Sequence, residues 1–317
     1  MSASMRVLIS GGAGCLGSNL VEHYLTQGHD LLVIDNFATS SREVLPDGID
    51  GLTVIEGTIA DRGLVDKAFA EFEPTHVVHS AAAYKDPDDW EEDTASNVAG
   101  TISLVEASRR YGVRRFINFQ TALCYGIPDE VPVPVTHACS PVTSYGISKV
   151  AGEQYVALSG LPYVSLRLAS VIGPRLSIGA IPTFYTRLKD GKPCFCTTAV
   201  RDFLDIEDFF ALMGAVMADD AATGIYNAGP GVGHSIKDVF DAVVSYLGIE
   251  LEEPVEVRPV GDDDIPEVVL DPSVTELDFG WRAQVPFEAS VEKMLRWYDA
   301  HGVSAIYSHL KPPAPVD

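Results

Sequence analysis

Near its start the chain runs Met5-Arg6-Val7-Leu8-Ile9-Ser10 into Gly11-Gly12-Ala13-Gly14-Cys15-Leu16-Gly17. The first six residues read as a short buried parallel strand. A helix-period stretch from Cys15 to Gln27 follows, and Gly28 stops it. Gly11, Gly14 and Gly17 therefore fall on the turn between a strand and a helix. Glycines in that setting permit a tight turn, close approach of backbone to a pyrophosphate, and close packing of helix on sheet. The free N–H groups at the helix start point toward the phosphates. This one turn commits the chain to a dinucleotide-binding α/β architecture.

The pattern continues in register with that reading. Strands are expected at Leu31–Asp35, Val54–Gly57, Thr75–Ser80, Arg115–Gln120 and Tyr163–Arg167, with helices at Leu64–Phe72, Trp90–Tyr111 and Tyr145–Leu158 between them. Such alternation predicts a doubly wound parallel sheet of the Rossmann kind. After Pro174, prolines break the pattern, although Asp208–Met217 and Ile236–Leu247 keep helical periodicity. The expected organisation is a dinucleotide domain over 1–175, with a return segment near 203–225. A smaller C-terminal α/β substrate lobe takes 176–202 and 226–310, and 311–317 form an extended tail.

Charge narrows the function. Lys and Arg number 22 against 45 Asp and Glu, a net charge of −23. Nucleic acid is disfavoured as a partner, because phosphate neutralisation needs clustered basic residues. No run approaches the roughly 20 apolar residues of a membrane span. The N-terminus enters the first strand without the pattern of a signal peptide, so a soluble cytoplasmic protein is expected. Five scattered cysteines do not form a disulfide framework. Cys194-Phe195-Cys196 has no second Cys or His pair at zinc spacing, and no metal is expected.

Asp35 ends the second strand. An acid there accepts hydrogen bonds from the adenine ribose hydroxyls and repels a 2′-phosphate, which favours NAD over NADP. The competing role for Asp35 is a solvated turn residue. Tyr145 and Lys149 stand at i and i+4 in Ser144-Tyr145-Gly146-Ile147-Ser148-Lys149 and share a helix face. A free tyrosine is a poor base at neutral pH, and a neighbouring cation favours its anion. Such a pair can take the proton from an alcohol as hydride leaves its carbon. Thr121 ends the fifth strand, at the edge where ligands bind in these sheets. Its hydroxyl can polarise the same oxygen or satisfy local backbone.

Together these residues resemble the extended short-chain dehydrogenase/reductase superfamily, and within it the NAD-dependent sugar-nucleotide epimerase/dehydratase family. The resemblance extends from Arg6 to about Trp297 and takes in His79-Ser80-Ala81-Ala82-Ala83, Asn97-Val98-Ala99-Gly100-Thr101, Arg201-Asp202-Phe203 and Tyr226-Asn227-Ala228-Gly229. It implies a nucleoside-diphosphate sugar, UDP-sugar favoured, and a homodimer through the helices that begin at Trp90 and Tyr145. Cofactor contacts are implied for Gly11, Gly14, Cys15, Leu16, Gly17, Asp35, Asn36, Thr58, Ile59, Ser80, Ala81, Ala82, Tyr145 and Lys149. Substrate contacts are implied for Lys85, Thr121, Tyr145, Ser170, Arg201 and Asp262. Arg201 suits a diphosphate, its other role being an ion pair with Asp202 or Asp205. Lys85 meets a sugar carboxylate or a phosphate, or else pairs with Asp86 or Asp88 on a solvated loop. The family usually carries Asn at Ser170 and often Asp at Thr58, which leaves Asp61 as a substitute near the adenine. Gln120 replaces a usual Ser, and His137 a common Glu.

The strand end discriminates among reactions. Dehydratases of this family follow the Thr with an Asp-Glu pair, where this chain has Ala122 and Leu123, and an apolar pair cannot do acid/base work. Cys124 is displaced by one residue from the position used for enolate chemistry, and reads as a small buried hydrophobe. What remains is C4 epimerisation through a 4-keto sugar, with Tyr145, Lys149 and Thr121 catalytic. The alternatives are a net dehydrogenase, reductase or dehydratase of the same family and, more remotely, a non-catalytic NAD-sensing regulator.

Overall fold

The structure is a computed structural model that describes residues 4–84, 86–261 and 264–303. Lys85, Asp262 and the 311–317 tail lie outside the described residues. Seven parallel strands form the main sheet: β1 (Arg6–Ser10), β2 (Asp30–Asp35), β3 (Leu52–Glu56), β4 (His76–His79), β5 (Arg115–Thr121), β6 (Tyr163–Leu168) and β10 (Gly224–Ala228). Their order is β10-β6-β5-β4-β1-β2-β3, so the chain winds outward in both directions from β1. This is the doubly wound Rossmann-like sheet expected from the strand-helix alternation.

Helices cover both faces, which is why these strands are apolar on both sides. On one face, α1 (Cys15–Thr26) and α7 (Ile206–Val216) set Leu20, Val21, Tyr24, Phe209, Leu212 and Met213 into a core with Val7, Ile9, Val33 and Ile117. On the other, α2 (Arg62–Phe72), α4 (Thr101–Arg110) and α5 (Ser144–Leu158) bury Val65, Phe69, Leu104 and Val156 against Leu8, Val77 and Phe116.

The expected single helix over Trp90–Tyr111 has three parts. A short α3 (Trp90–Asp93) opens into a wide π-helical stretch over 94–100 before α4 begins. The change is pinned by Asn97, whose amide oxygen accepts from the Ala83 N–H at 2.9 Å. Its Nδ2 donates to the Ala83 carbonyl at 2.9 Å and to the Ser148 hydroxyl at 3.0 Å. One side chain thus joins the end of β4 to the helix that carries Tyr145.

A second, smaller layer holds β7 (Ser170–Ile172), β9 (Val200–Asp205), β11 (Gly233–Ser235) and β13 (Glu267–Val268), with β8 (Phe195–Thr197) paired to β12 (Glu256–Arg258). Its core is built from α6 (Ala180–Lys189), α8 (Ile236–Leu247) and α10 (Phe287–His301) around Phe184, Phe240, Phe287 and Leu295. The chain enters this lobe at β7 and returns to the main sheet through α7 and β10. A short α9 (Ser273–Phe279) then packs beside β10, where Phe279 meets Tyr226.

Candidate active site

The glycine turn is as tight as its spacing demands. Gly11 adopts φ 69°, and a Cβ there would lie 2.6 Å from the Ala81 backbone. A Cβ on Gly17 would lie 2.2 Å from the Gly11 carbonyl oxygen. Gly17 is therefore a packing residue behind the turn, whereas Gly11, Gly14, Cys15 and Leu16 line a cavity of about 1130 Å³. Asp35, Asn36, Thr58, Ile59, Ser80, Ala81 and Ala82 line the same cavity.

Asp35 is held at both of its oxygens. Its Oδ2 accepts from the Ala13 N–H and its Oδ1 from the Phe37 N–H, both at 2.8 Å. The carboxylate braces the glycine turn against the end of β2, and each oxygen retains a lone pair for a ligand hydroxyl. Asp61 is not the adenine contact that was expected as a substitute for an Asp at position 58. Its Oδ1 is spent on the Gly63 and Leu64 N–H groups as the N-cap of α2.

The carboxyl end of β5 carries Thr121, one of the expected catalytic groups. Gln120 Nε2 donates to the Lys149 carbonyl and its Oε1 accepts from the Thr121 N–H, each at 2.8 Å. That single glutamine ties the strand end to α5, whose N-cap Thr143 accepts from Gly146 N–H. Thr121, Tyr145 and Lys149 all face the cavity. Lys149 is buried, and its Nζ donates to the Phe119 carbonyl at 2.6 Å. Burial lowers its ammonium to about 8, against the raising pull of Glu153.

Burial, helped by the Asp93 carboxylate, pushes the Tyr145 phenol above its usual value, and a hydrogen bond with Thr121 is what lowers it. Lys149 directs one of its three N–H donors to the Phe119 carbonyl. Tyr84 stands edge-on to the Tyr145 ring at 6.0 Å.

Behind these groups is a buried brace. Glu153 on α5 accepts from Arg167 Nη2 at 2.7 Å and from the Ser165 hydroxyl at 2.7 Å. His79 bridges the Ser10 and Thr101 hydroxyls, both at 2.8 Å, and burial with nearby Lys149 holds it well below its usual pKa. Cys124, expected to be a small buried hydrophobe, is fully buried. It is hydrogen-bonded to Cys139, whose thiol that contact lowers to about 7.

The second lobe supplies the opposite wall through Ser170, Arg201 and Asp202. Arg201 pairs with Asp264, Nη2 to Oδ1 at 2.6 Å, rather than with Asp202 or Asp205. It is the one arginine among the described residues that line the cavity. Burial raises the Asp202 carboxyl to about 7 while it accepts from the Leu270 N–H.

Residues 7–229 match the model of the NAD dependent epimerase/dehydratase family. The chain belongs to that family. A UDP-glucose 4-epimerase of Corynebacterium glutamicum is 30% identical over 87% of this chain and 90% of its own length. The crystal structure of the Bordetella bronchiseptica enzyme WbmG in complex with NAD and UDP is 58% identical, covers 98% of this chain and 100% of its own, and superposes with a TM-score of 0.94. That of WbmH from the same organism, in complex with NAD+, is 42% identical over 95% and 100%, with a TM-score of 0.88. As a member of this family the protein is an enzyme that uses NAD. The glycine cradle, the start of α1 and the Asp35 carboxylate fit the group, since Gly11, Gly14, Cys15 and Asp35 all line the one cavity.

Two features around this cavity leave little trace in the sequence. Asn97 lay in a noted motif, but its clamp on Ala83 and Ser148 depends on the π turn. Asp93 gave no signal at all, because it sits in the acidic run from Asp86 and reads as part of a solvated helix start. It is instead buried and lines the cavity. Among the described residues no helix is long and apolar enough to cross a membrane, and no metal-binding group of acidic, His or Cys residues occurs.

Proposed function

We propose that this enzyme interconverts the C4 epimers of a UDP-sugar. The observation that carries the reading is the composition of one wall. Thr121 hydrogen-bonds Tyr145 there, and the residues that follow it into the cavity, Ala122 and Leu123, are apolar. Water loss from the sugar needs a further acid and base at those positions, and neither side chain can act as one.

Tyr145 takes the proton of the C4 hydroxyl, and Thr121 holds both the phenol and that oxygen in line. NAD, when bound, supplies the acceptor and donor of hydride. Lys149, anchored on Phe119, keeps a cation beside Tyr145. Arg201 presents its guanidinium to the diphosphate, and Ser170 contacts the nucleotide sugar. The UDP-bound relative and the UDP-glucose 4-epimerase relative support UDP as the nucleotide. A single turnover leaves NAD as it began, so one cofactor serves many cycles.

The test is incubation with a panel of UDP-sugars in D2O, read by proton NMR and by absorbance at the NADH band. The expected result is a product of unchanged mass with C4 inverted, no solvent deuterium on carbon, and no accumulating NADH. Stoichiometric NADH, or a dehydrated 4-keto product, overturns the epimerase reading.

We also propose a homodimer in the cytoplasm. Ile147, Tyr155 and Leu158 fall on one face of α5 and are exposed, Leu158 at 83%. A second copy covering that face is the occupant expected. Leu158→Glu shifting the light-scattering mass to that of a monomer supports it, and a parent that is already monomeric refutes it.

A further inference from the structure

We propose that Asp93 is a substrate-recognition residue that accepts a hydrogen bond from a donor, O–H or N–H, on the pyranose held against Tyr145. This rests on the sugar-nucleotide reading above and names a contact within it. Asp93 closes α3, is only 2% exposed, and lines the cavity. The Ser144 hydroxyl hydrogen-bonds its carboxylate, but Oδ2 has no hydrogen-bond partner among the described residues. The neighbouring carboxylates are exposed. Asp86 accepts from the Asp88 N–H at 3.0 Å, Asp89 from the Glu92 N–H at 3.0 Å, and Glu92 from the Ser96 hydroxyl at 2.6 Å.

A buried carboxylate oxygen without a donor is costly to the folded protein. It sits at the point where the helix widens from α to π geometry, a change found frequently at functional sites. Asp93 is also near enough to Tyr145 for its charge to raise the phenol. It lines the same cavity as Tyr145, Thr121, Ser170 and Arg201. A sugar donor placed there satisfies Oδ2 and fixes the ring in front of Tyr145.

The test uses the NAD-loaded protein with Asp93→Leu and Asp93→Asn. Calorimetry measures affinity for UDP, UDP-galactose, its 3-deoxy and 6-deoxy analogues, and UDP-N-acetylglucosamine. In Asp93→Leu, UDP should bind as it does to the parent, while the preferred UDP-sugar should weaken about 10- to 100-fold. Asn keeps an acceptor and should recover part of that loss. Loss confined to the acetamido sugar identifies N–H as the donor. A parent that binds one deoxy analogue as weakly as Asp93→Leu binds the full sugar identifies the missing hydroxyl.

In sugar-free protein Asp93→Leu should melt no lower than the parent, because an unsatisfied buried charge has been removed. Equal affinity of parent and both variants for every sugar nucleotide overturns the proposal. Equal weakening of UDP itself, or a fall in melting temperature that tracks the loss, overturns it in favour of a structural role. A parent that binds UDP-sugars but turns none over sinks the epimerase reading alone, since the Asp93 contact is read in binding.

Discussion

Lys149 Nζ donates to the carbonyl oxygen of Phe119 at 2.6 Å, two residues before Thr121 on the same strand. The cation of the i, i+4 pair is thus tied to the strand end that carries the third member of the site. Thr121 is in turn the group that lowers Tyr145.

Tyr145→Phe should abolish turnover, with kcat falling by about 10²- to 10⁴-fold and NAD affinity kept. Thr121→Val removes the hydrogen bond that opposes burial at Tyr145. Its kcat should fall too. Steady-state kinetics from pH 6 to 10 checks both, and an undiminished kcat in Thr121→Val denies the Thr121–Tyr145 coupling.

Burial holds Lys149 at about 8, below its ordinary 10.5. Between those values the unfolded chain binds more protons than the folded one, so stability rises with pH across that window. The cost is fully present below pH 8. In NAD-stripped protein, Lys149→Met should remove that slope, a difference of up to roughly 3 kcal/mol between pH 8 and 10.5. Urea unfolding of both proteins at several pH values measures it, and parallel stability curves refute it.

Gly17→Ala places a methyl 2.2 Å from the Gly11 carbonyl oxygen, against backbone that cannot swing aside. The variant should lose NAD binding and melt several degrees lower. Gly28→Ala, where a Cβ meets nothing within 4 Å but φ is 77°, should cost stability and leave cofactor affinity intact. Fluorescence titration with NAD separates the two.

Cys139 is held at about 7, while burial pushes Cys15 up to about 12 and Cys124 well above its usual value. At pH 7.5, iodoacetamide should therefore label Cys139 first in the native protein. Peptide mass spectrometry over time checks the order, and Cys139→Ser should remove the fast phase.

Much of this was legible in the residues. The six strands from β1 to β6 announce themselves as apolar runs between helical stretches, and the glycine turn is fixed by sterics that act within a dozen residues. The seventh strand, β10, leaves no such mark, because its five residues Gly224-Ile225-Tyr226-Asn227-Ala228 make too short and mixed a run to stand out as apolar. Asp93 was illegible for another reason. Its burial depends on the π turn and on α5, neither of which leaves a mark on the local pattern. The pairing of Arg201 with Asp264 likewise depends on where β9 and the 264 segment meet.

The placement of β10 has a consequence for biosynthesis. Until residue 228 has emerged and the intervening lobe has folded, β6 presents a bare row of amides and carbonyls to whatever else is extended nearby. A polypeptide cut at 205 would keep every residue assigned above to the cofactor, yet lose α7 from one face of the sheet as well as β10 from its edge. Self-association is the defect such a fragment should show.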